Sequence, residues 1–284
     1  MTSASRQFPF RLLNVFAESV FGGNPLCVFE SGEGLSDSEM QSLALQFNLS
    51  ETTFILPGHD ASAEVRIFTP AFEMAFAGHP TLGTAHVVRD LFNTGDRLTL
   101  KMKAGIIPVS AEGDVWTLTA NAPRYREFTI PRHELAAILG LKSEAILDGV
   151  SWVDTGSEQL IVPLASADAV RRTQPVADRL AAISSDAGRS MAYVFAPNGE
   201  GRLLSRFFFF KNGSVIEDPG TGSATANLGG WYLKRHIKLP LTLLIDQGEM
   251  TNRPCRIELS VDTDKHIRVS GQVLEIGRGR ITLA

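Results

Sequence analysis

The feature that most constrains this chain is a motif that occurs twice, about half a chain apart. One copy reads His79-Pro80-Thr81-Leu82-Gly83-Thr84-Ala85 and the other Asp218-Pro219-Gly220-Thr221-Gly222-Ser223-Ala224. Both fit [His/Asp]-Pro-x-x-Gly-[Thr/Ser]-Ala, and each follows a strand-like run headed by arginine, Arg66-Ile67-Phe68 and Arg206-Phe207-Phe208. No shorter repeat of the solenoid kind is visible. Two matched strand–loop–helix units predict a duplicated fold.

Proline suits the first position of a helix, where its missing N–H has no partner to lose. The motif therefore predicts that Pro80 and Pro219 each open a helix, with His79 and Asp218 at the N-cap. The second helix is rich in Ala224, Ala226, Gly229 and Gly230, and each glycine costs about 1 kcal/mol of helix propensity relative to alanine. Such a helix is tolerable when strands pack closely around it, so each half is expected to hold a central helix wrapped by sheet. A helix N-terminus offers unpaired N–H groups and a positive dipole end. Gly83 and Gly222 are expected to let a ligand approach that backbone, and two such ends would suit a carboxylate.

The flanking sequence is strand-rich. Phe8 to Phe16 and Pro25 to Phe29 read as strands around the turn Gly22-Gly23-Asn24. Ser36 with Glu39 forms a capping-box signature ahead of Met40, Leu43, Ala44 and Phe47, a helix expected to end near Asn48. Strands are expected over Glu51 to Leu56, Glu64 to Thr69, Arg97 to Met102, Gly105 to Ser110 and Val115 to Thr119. Asn121-Ala122-Pro123, followed by Pro131, reads as a connector. Beyond it come helices near Pro131 to Leu139 and Val176 to Ser184. Strands follow near Gln159 to Pro163, Met191 to Phe195, Leu203 to Phe209 and Arg256 to Val261. A fainter echo pairs Ser50-Glu51 with Ser157-Glu158.

Composition narrows the function. Hydrophobic residues make up 44% of the 284 and charged residues 20%, enough to bury a core, and the net charge is −4. With no cluster of Lys or Arg, nucleic acid and anionic membrane are not expected as partners. The polar start Met1 to Arg6 does not resemble a secretory signal, and the longest apolar runs are too short to span a bilayer. The two cysteines, Cys27 and Cys255, lack metal-ligand spacing and read as free thiols of a reduced cytoplasm. Taken singly, Asp218 reads as readily as a helix cap, His79 as a buried hydrogen-bonder and Glu51 as a solvated strand end.

Together the segments resemble the PhzF family of phenazine-biosynthesis isomerases. The resemblance runs in order through Phe21-Gly22-Gly23-Asn24-Pro25, Asn48-Leu49-Ser50-Glu51-Thr52-Thr53-Phe54, Arg66-Ile67-Phe68-Thr69-Pro70 and Ala77-Gly78-His79-Pro80. It continues through Glu217-Asp218-Pro219-Gly220-Thr221-Gly222-Ser223-Ala224 and closes at Gln247-Gly248 and Gly271. Gly220 stands where the family more often has alanine, and Lys211 where it often has proline.

The resemblance implies an α+β fold of two pseudo-symmetric, diaminopimelate epimerase-like lobes with a cleft between them, each a central helix wrapped by a curved, barrel-like sheet. The expected division is an N-terminal lobe of residues 1–120, completed by a last strand at about 272–284, and a C-terminal lobe of residues 121–271. The resemblance further implies a cytoplasmic, homodimeric isomerase with no metal and no pyridoxal phosphate, acting on a small unsaturated carboxylate. By position Glu51 matches the family's proton-shuttling carboxylate, and His79, Asp218 and Ser223 its accompanying polar residues. Ser50, Gly78, Thr81, Thr221 and Gly222 are then expected to line the substrate. Epimerase relatives carry a cysteine in each lobe, whereas the matching segments here have none. A racemase or epimerase using Glu51 and Asp218 as two bases, or a non-catalytic binding protein on the same fold, are the alternatives.

Overall fold

The structure is a computed structural model and describes residues 5–283; residues 1–4 of the polar start lie outside it. The chain forms two compact units, Met1–Leu118 with Gly271–Ala284, and Thr119–Ser270. In chain order the first unit contains β1 (Arg6–Val15), β2 (Asn24–Phe29), α1 (Asp37–Phe47), β3 (Glu51–Leu56), β4 (Ala63–Phe68) and β5 (Glu73–Met74). It continues with α2 (Gly78–Phe92), β6 (Arg97–Met102), β7 (Gly105–Glu112) and β8 (Val115–Thr119). The second contains β9 (Arg124–Glu127), α3 (Arg132–Leu139), β10 (Ser151–Asp154), β11 (Glu158–Pro163), α4 (Ala167–Arg172), α5 (Ala177–Ala181) and β12 (Met191–Pro197). Then follow β13 (Arg202–Lys211), β14 (Ser214–Asp218), α6 (Gly222–Lys234), β15 (Leu241–Gln247) and β16 (Cys255–Val261). The last strand, β17 (Ile267–Leu283), starts in the second unit and ends in the first.

Strand pairing exposes the duplication. The first unit closes as β1–β2–β3–β4–β6–β7–β8–β17–β1, antiparallel except at β2–β3 and β4–β6 in the pairings with resolved register. The second runs β9–β10–β11–β12–β13–β15–β16–β17, again parallel only at β11–β12 and β13–β15. Short β5 and β14 hairpin back onto β4 and β13 in turn. Parallel neighbours need a crossover, which α1 and α2 supply in one unit, and α4 with α5 and then α6 in the other.

The crossovers sort into outer and central helices. Helix α1 has a complete capping box from Ser36 and Glu39 and ends at Asn48 in the left-handed conformation. It covers an aromatic cluster in which Phe29 stacks on Phe54 at 4.8 Å. Helix α2 is buried from His79 through Ala85 and packs on β1, β2, β3, β4 and β6. Helix α6 is buried over most of its length and packs on β10, β11 and β16. A helix apolar on all sides belongs inside. Its small residues explain the close fit: a Cβ on Gly229 would lie 2.7 Å from Ile267 Cγ2, and one on Gly83 would lie 2.5 Å from Leu26 Cδ2.

Several expectations are corrected. Helix α2 begins at Gly78, so Pro80 is its third residue and His79 its second, not its cap. Helix α6 begins at Gly222 with Thr221 as N-cap; Pro219 precedes the helix and Asp218 ends β14. Gly83 is mid-helix against Leu26 and Val15, where no ligand can approach. The connector after Asn121 contains β9, paired with β10, and the helix near Val176 is shorter, Ala177–Ala181.

Candidate active site

The true frame of the repeat follows from hydrogen bonds. In α2 the Thr81 hydroxyl donates to the Ala77 carbonyl at 2.7 Å, and in α6 the Thr225 hydroxyl donates to the Thr221 carbonyl at 3.2 Å. Upstream, Phe68 pairs with Glu73 and Phe208 with Glu217. Arg66 grips Glu73 bidentately at 2.8 and 2.7 Å, and Arg206 grips Glu217 at 2.9 and 2.7 Å. Glu73-Met74 through Gly78-His79 therefore superposes on Glu217-Asp218 through Gly222-Ser223, five residues away from the motif alignment. His79 corresponds to Ser223, and Asp218 corresponds to Met74.

The same reasoning locates the counterpart of Glu51. Phe54 pairs with Arg66 in β3–β4, and Val194 pairs with Arg206 in β12–β13. Three residues before each stand Glu51 and Met191. Each candidate carboxylate thus has a methionine at the matched position of the other unit. The fainter echo fails in this frame: Glu158 starts β11, whose counterpart is β2, and it is held by Arg126 at 2.9 and 2.8 Å.

In the first unit Glu51 Oε2 and His79 Nε2 lie 3.4 Å apart, with side chains 15% and 8% exposed. Burial pushes the His79 pKa down to about 3, partly offset by a hydrogen bond to the Pro25 backbone. The contact is therefore not an ion pair, because the imidazole is neutral. Proline offers only a carbonyl, so a ring N–H donates to it; with Nε2 turned to Glu51, that nitrogen is Nδ1. Nε2 is left as a buried lone pair without a hydrogen-bond partner, aimed at the carboxyl. Ser50, next to Glu51, is exposed.

In the second unit Asp218 is half-buried. The Thr221 hydroxyl donates to Asp218 Oδ2, and Gln247 donates to the Asp218 carbonyl at 2.9 Å. Ser223 accepts from Gln159 Nε2 at 2.9 Å, and Gln159 is itself held by Asn227 at 2.7 Å. The sequence reading missed Gln159 and Asn227; a polar residue facing a central helix gives no signal until strand and helix are paired.

Neither central helix has a side-chain N-cap. Helices α3 and α5 also lack one, but their first turns are exposed and water can serve them, whereas those of α2 and α6 are largely buried. The donors differ from those expected. The Thr81 N–H is bound to Ala77 and its hydroxyl is buried, and the Thr221 N–H is bound to Gln247 at 3.2 Å. Gly78 with His79, and Gly222 with Ser223 and Ala224, carry the first-turn N–H groups that no intrahelical i−4 carbonyl reaches. Both thiols are buried, and burial pushes that of Cys27 well above the usual range.

The model of the phenazine biosynthesis-like (PhzC-PhzF) proteins matches residues 13–278. The chain belongs to the PhzF family. It is 39% identical to an uncharacterized isomerase of Pasteurella multocida, over 96% of this chain and 94% of that one. It is 33% identical to the trans-2,3-dihydro-3-hydroxyanthranilate isomerase of Pseudomonas aeruginosa, over 96% and 98%. The PhzF-family crystal structure from Bacillus anthracis superposes with a TM-score of 0.87 at 23% identity, covering 98% of this chain and all of that one. Like its named PhzF relatives, the protein is an isomerase. Among the described residues, no helix is long and apolar enough to cross a membrane.

Proposed function

We propose that this PhzF-family isomerase moves a proton between two carbons of a small unsaturated carboxylate, with Glu51 as the one group that carries it. Glu51 removes a C–H proton made acidic by conjugation, the electron pair passes into the conjugated system, and the same proton returns at its far end. Atoms and electrons balance without an oxidant or a reductant. Abstraction leaves Glu51 as a carboxylic acid, and the Nε2 lone pair of His79 is an acceptor for its proton. This favours the acid over its ion and makes Glu51 a better base. In the same unit as Glu51, the first-turn N–H groups at Gly78 and His79 suit the substrate's carboxylate and the charge that develops from it.

The observation that carries this reading is the pairing of each carboxylate with a methionine. Two symmetric bases would call for an ionisable group at both matched positions, whereas the position matched to Glu51 is Met191 and the one matched to Asp218 is Met74. The experiment is a single turnover, in D2O, of trans-2,3-dihydro-3-hydroxyanthranilate and a panel of small unsaturated carboxylates. A single shuttle predicts that product keeps part of the substrate's own hydrogen. Complete deuteration in wild type and in Asp218→Asn alike sets aside direct return by Glu51. Loss of deuteration confined to Asp218→Asn assigns the second transfer to Asp218.

A further inference from the structure

Side-chain amides and hydroxyls can point either way, but two chains of buried polar groups in the second unit end on backbone atoms that cannot. Thr155 N–H donates to Asn227 Oδ1 at 2.8 Å, and the Thr155 hydroxyl adds a second bond at 2.7 Å. Asn227 is fully buried, so its Nδ2 must spend its hydrogens elsewhere; they go to the Ser157 carbonyl at 2.8 Å and to Gln159 Oε1 at 2.7 Å. Gln159 therefore presents Nε2 to Ser223, at 2.9 Å. A hydroxyl that accepts from an N–H keeps its own hydrogen for another partner. Flipping either amide would set N–H against N–H, or oxygen against oxygen, at a buried site.

The second chain has the opposite outcome. Thr221 N–H donates to Gln247 Oε1 at 3.2 Å, so Gln247 Nε2 donates to the Asp218 carbonyl and, at 3.0 Å, to the Thr221 hydroxyl oxygen. The Thr221 hydrogen is then left for Asp218 Oδ2, which must accept it.

We propose that Gln159 and Asn227 are positioning residues that make Ser223 an outward hydrogen-bond donor, while Gln247 and Thr221 make Asp218 an acceptor. Ser223 thereby offers a hydrogen to an acceptor atom of a substrate, and Asp218 takes one from a donor. The proposal rests on the reading of Ser223 and Asp218 as substrate-facing residues.

Neutron diffraction from the perdeuterated full chain tests the polarity without any ligand. The expected result is deuterium on Gln159 Nε2 aimed at Ser223 Oγ, with the Ser223 deuterium directed away from Gln159 and the Thr221 deuterium directed at Asp218. A Ser223 deuterium aimed at Gln159 would overturn the proposal whatever the enzyme's substrate. The functional half is a double-mutant cycle with 3-hydroxyanthranilate, a stable aromatic carboxylate bearing both neighbouring groups, its binding followed by calorimetry. Gln159→Leu is expected to weaken binding about five- to tenfold when Ser223 is present and less than about twofold in a Ser223→Ala background. Equal losses in both backgrounds would make Gln159 a packing residue. If wild type does not bind this probe while the neutron result holds, the substrate-facing reading fails and the polarity stands.

Discussion

Glu51 and His79 form a pair whose chemistry depends on which of them holds a proton. With the His79 pKa lowered to about 3 by burial, the histidine stays neutral well into the acid range and its Nε2 keeps a lone pair. The depressed value also links this residue to stability. Unfolded, His79 titrates near its ordinary value of about 6.5. Between the two values the unfolded chain binds the proton and the folded one does not, so stability falls as pH drops from about 6.5 towards 3. At neutral pH and above the residue contributes no such dependence. His79→Asn should remove that share of acid sensitivity, worth about 2–3 kcal/mol at pH 4.5, as measured by urea unfolding at pH 4.5 and pH 7. An unchanged difference between the two pH values would mean that His79 is less buried than its surroundings indicate.

Between elements, the arginine forks are the most consequential contacts. Arg206 does more than its counterpart Arg66: besides gripping Glu217 it donates to the carbonyls of Val170, Arg171 and Thr173 at 3.2, 3.0 and 2.7 Å. It thereby ties down the C-terminal end of α4, where the Val170 carbonyl also accepts from the Thr173 N–H at 3.2 Å. Arg206→Lys cannot span both groups and should destabilise the protein by about 2–4 kcal/mol in urea unfolding; a loss under about 0.5 kcal/mol would show the contacts to be incidental. Gly83→Ala should also destabilise, by about 1–3 kcal/mol, because the new methyl meets fully buried Leu26. A gain close to alanine's ordinary helix advantage would contradict that packing.

Much at this scale was legible in the sequence. The capping box of α1, the strands from Arg97 to Thr119 and the presence of two small-residue helices all followed from local pattern. The frame of the repeat did not. Proline drew the alignment to Pro80 and Pro219, yet the two prolines occupy different places, one inside a helix and one before it. The matched residues, His79 with Ser223 and Met74 with Asp218, share no chemistry and become visible only through strand register. Short β5, β9, β10, β14 and α4 were missed because six residues or fewer carry too little periodicity to read, and β15 because Leu241 to Ile245 reads only as a short apolar run.

At the scale of the whole molecule, a duplicated architecture has been given unlike residues in its two copies. The first unit has a carboxylate beside a neutral imidazole; the second has an aspartate that accepts from Thr221 and a serine that accepts from Gln159. The repeat is visible in the strand pairing of both units, and the matched positions His79 with Ser223 and Met74 with Asp218 have diverged in chemistry. The most direct measurement is proton exchange at the reacting C–H of trans-2,3-dihydro-3-hydroxyanthranilate, or of whichever panel carboxylate wild type turns over, followed by NMR in D2O. Wild type should exchange or isomerise it; Glu51→Gln should lower both exchange and turnover by about 10²–10⁴-fold while still binding the substrate. Exchange by Glu51→Gln within about tenfold of wild type would contradict the assignment of Glu51 as the proton carrier.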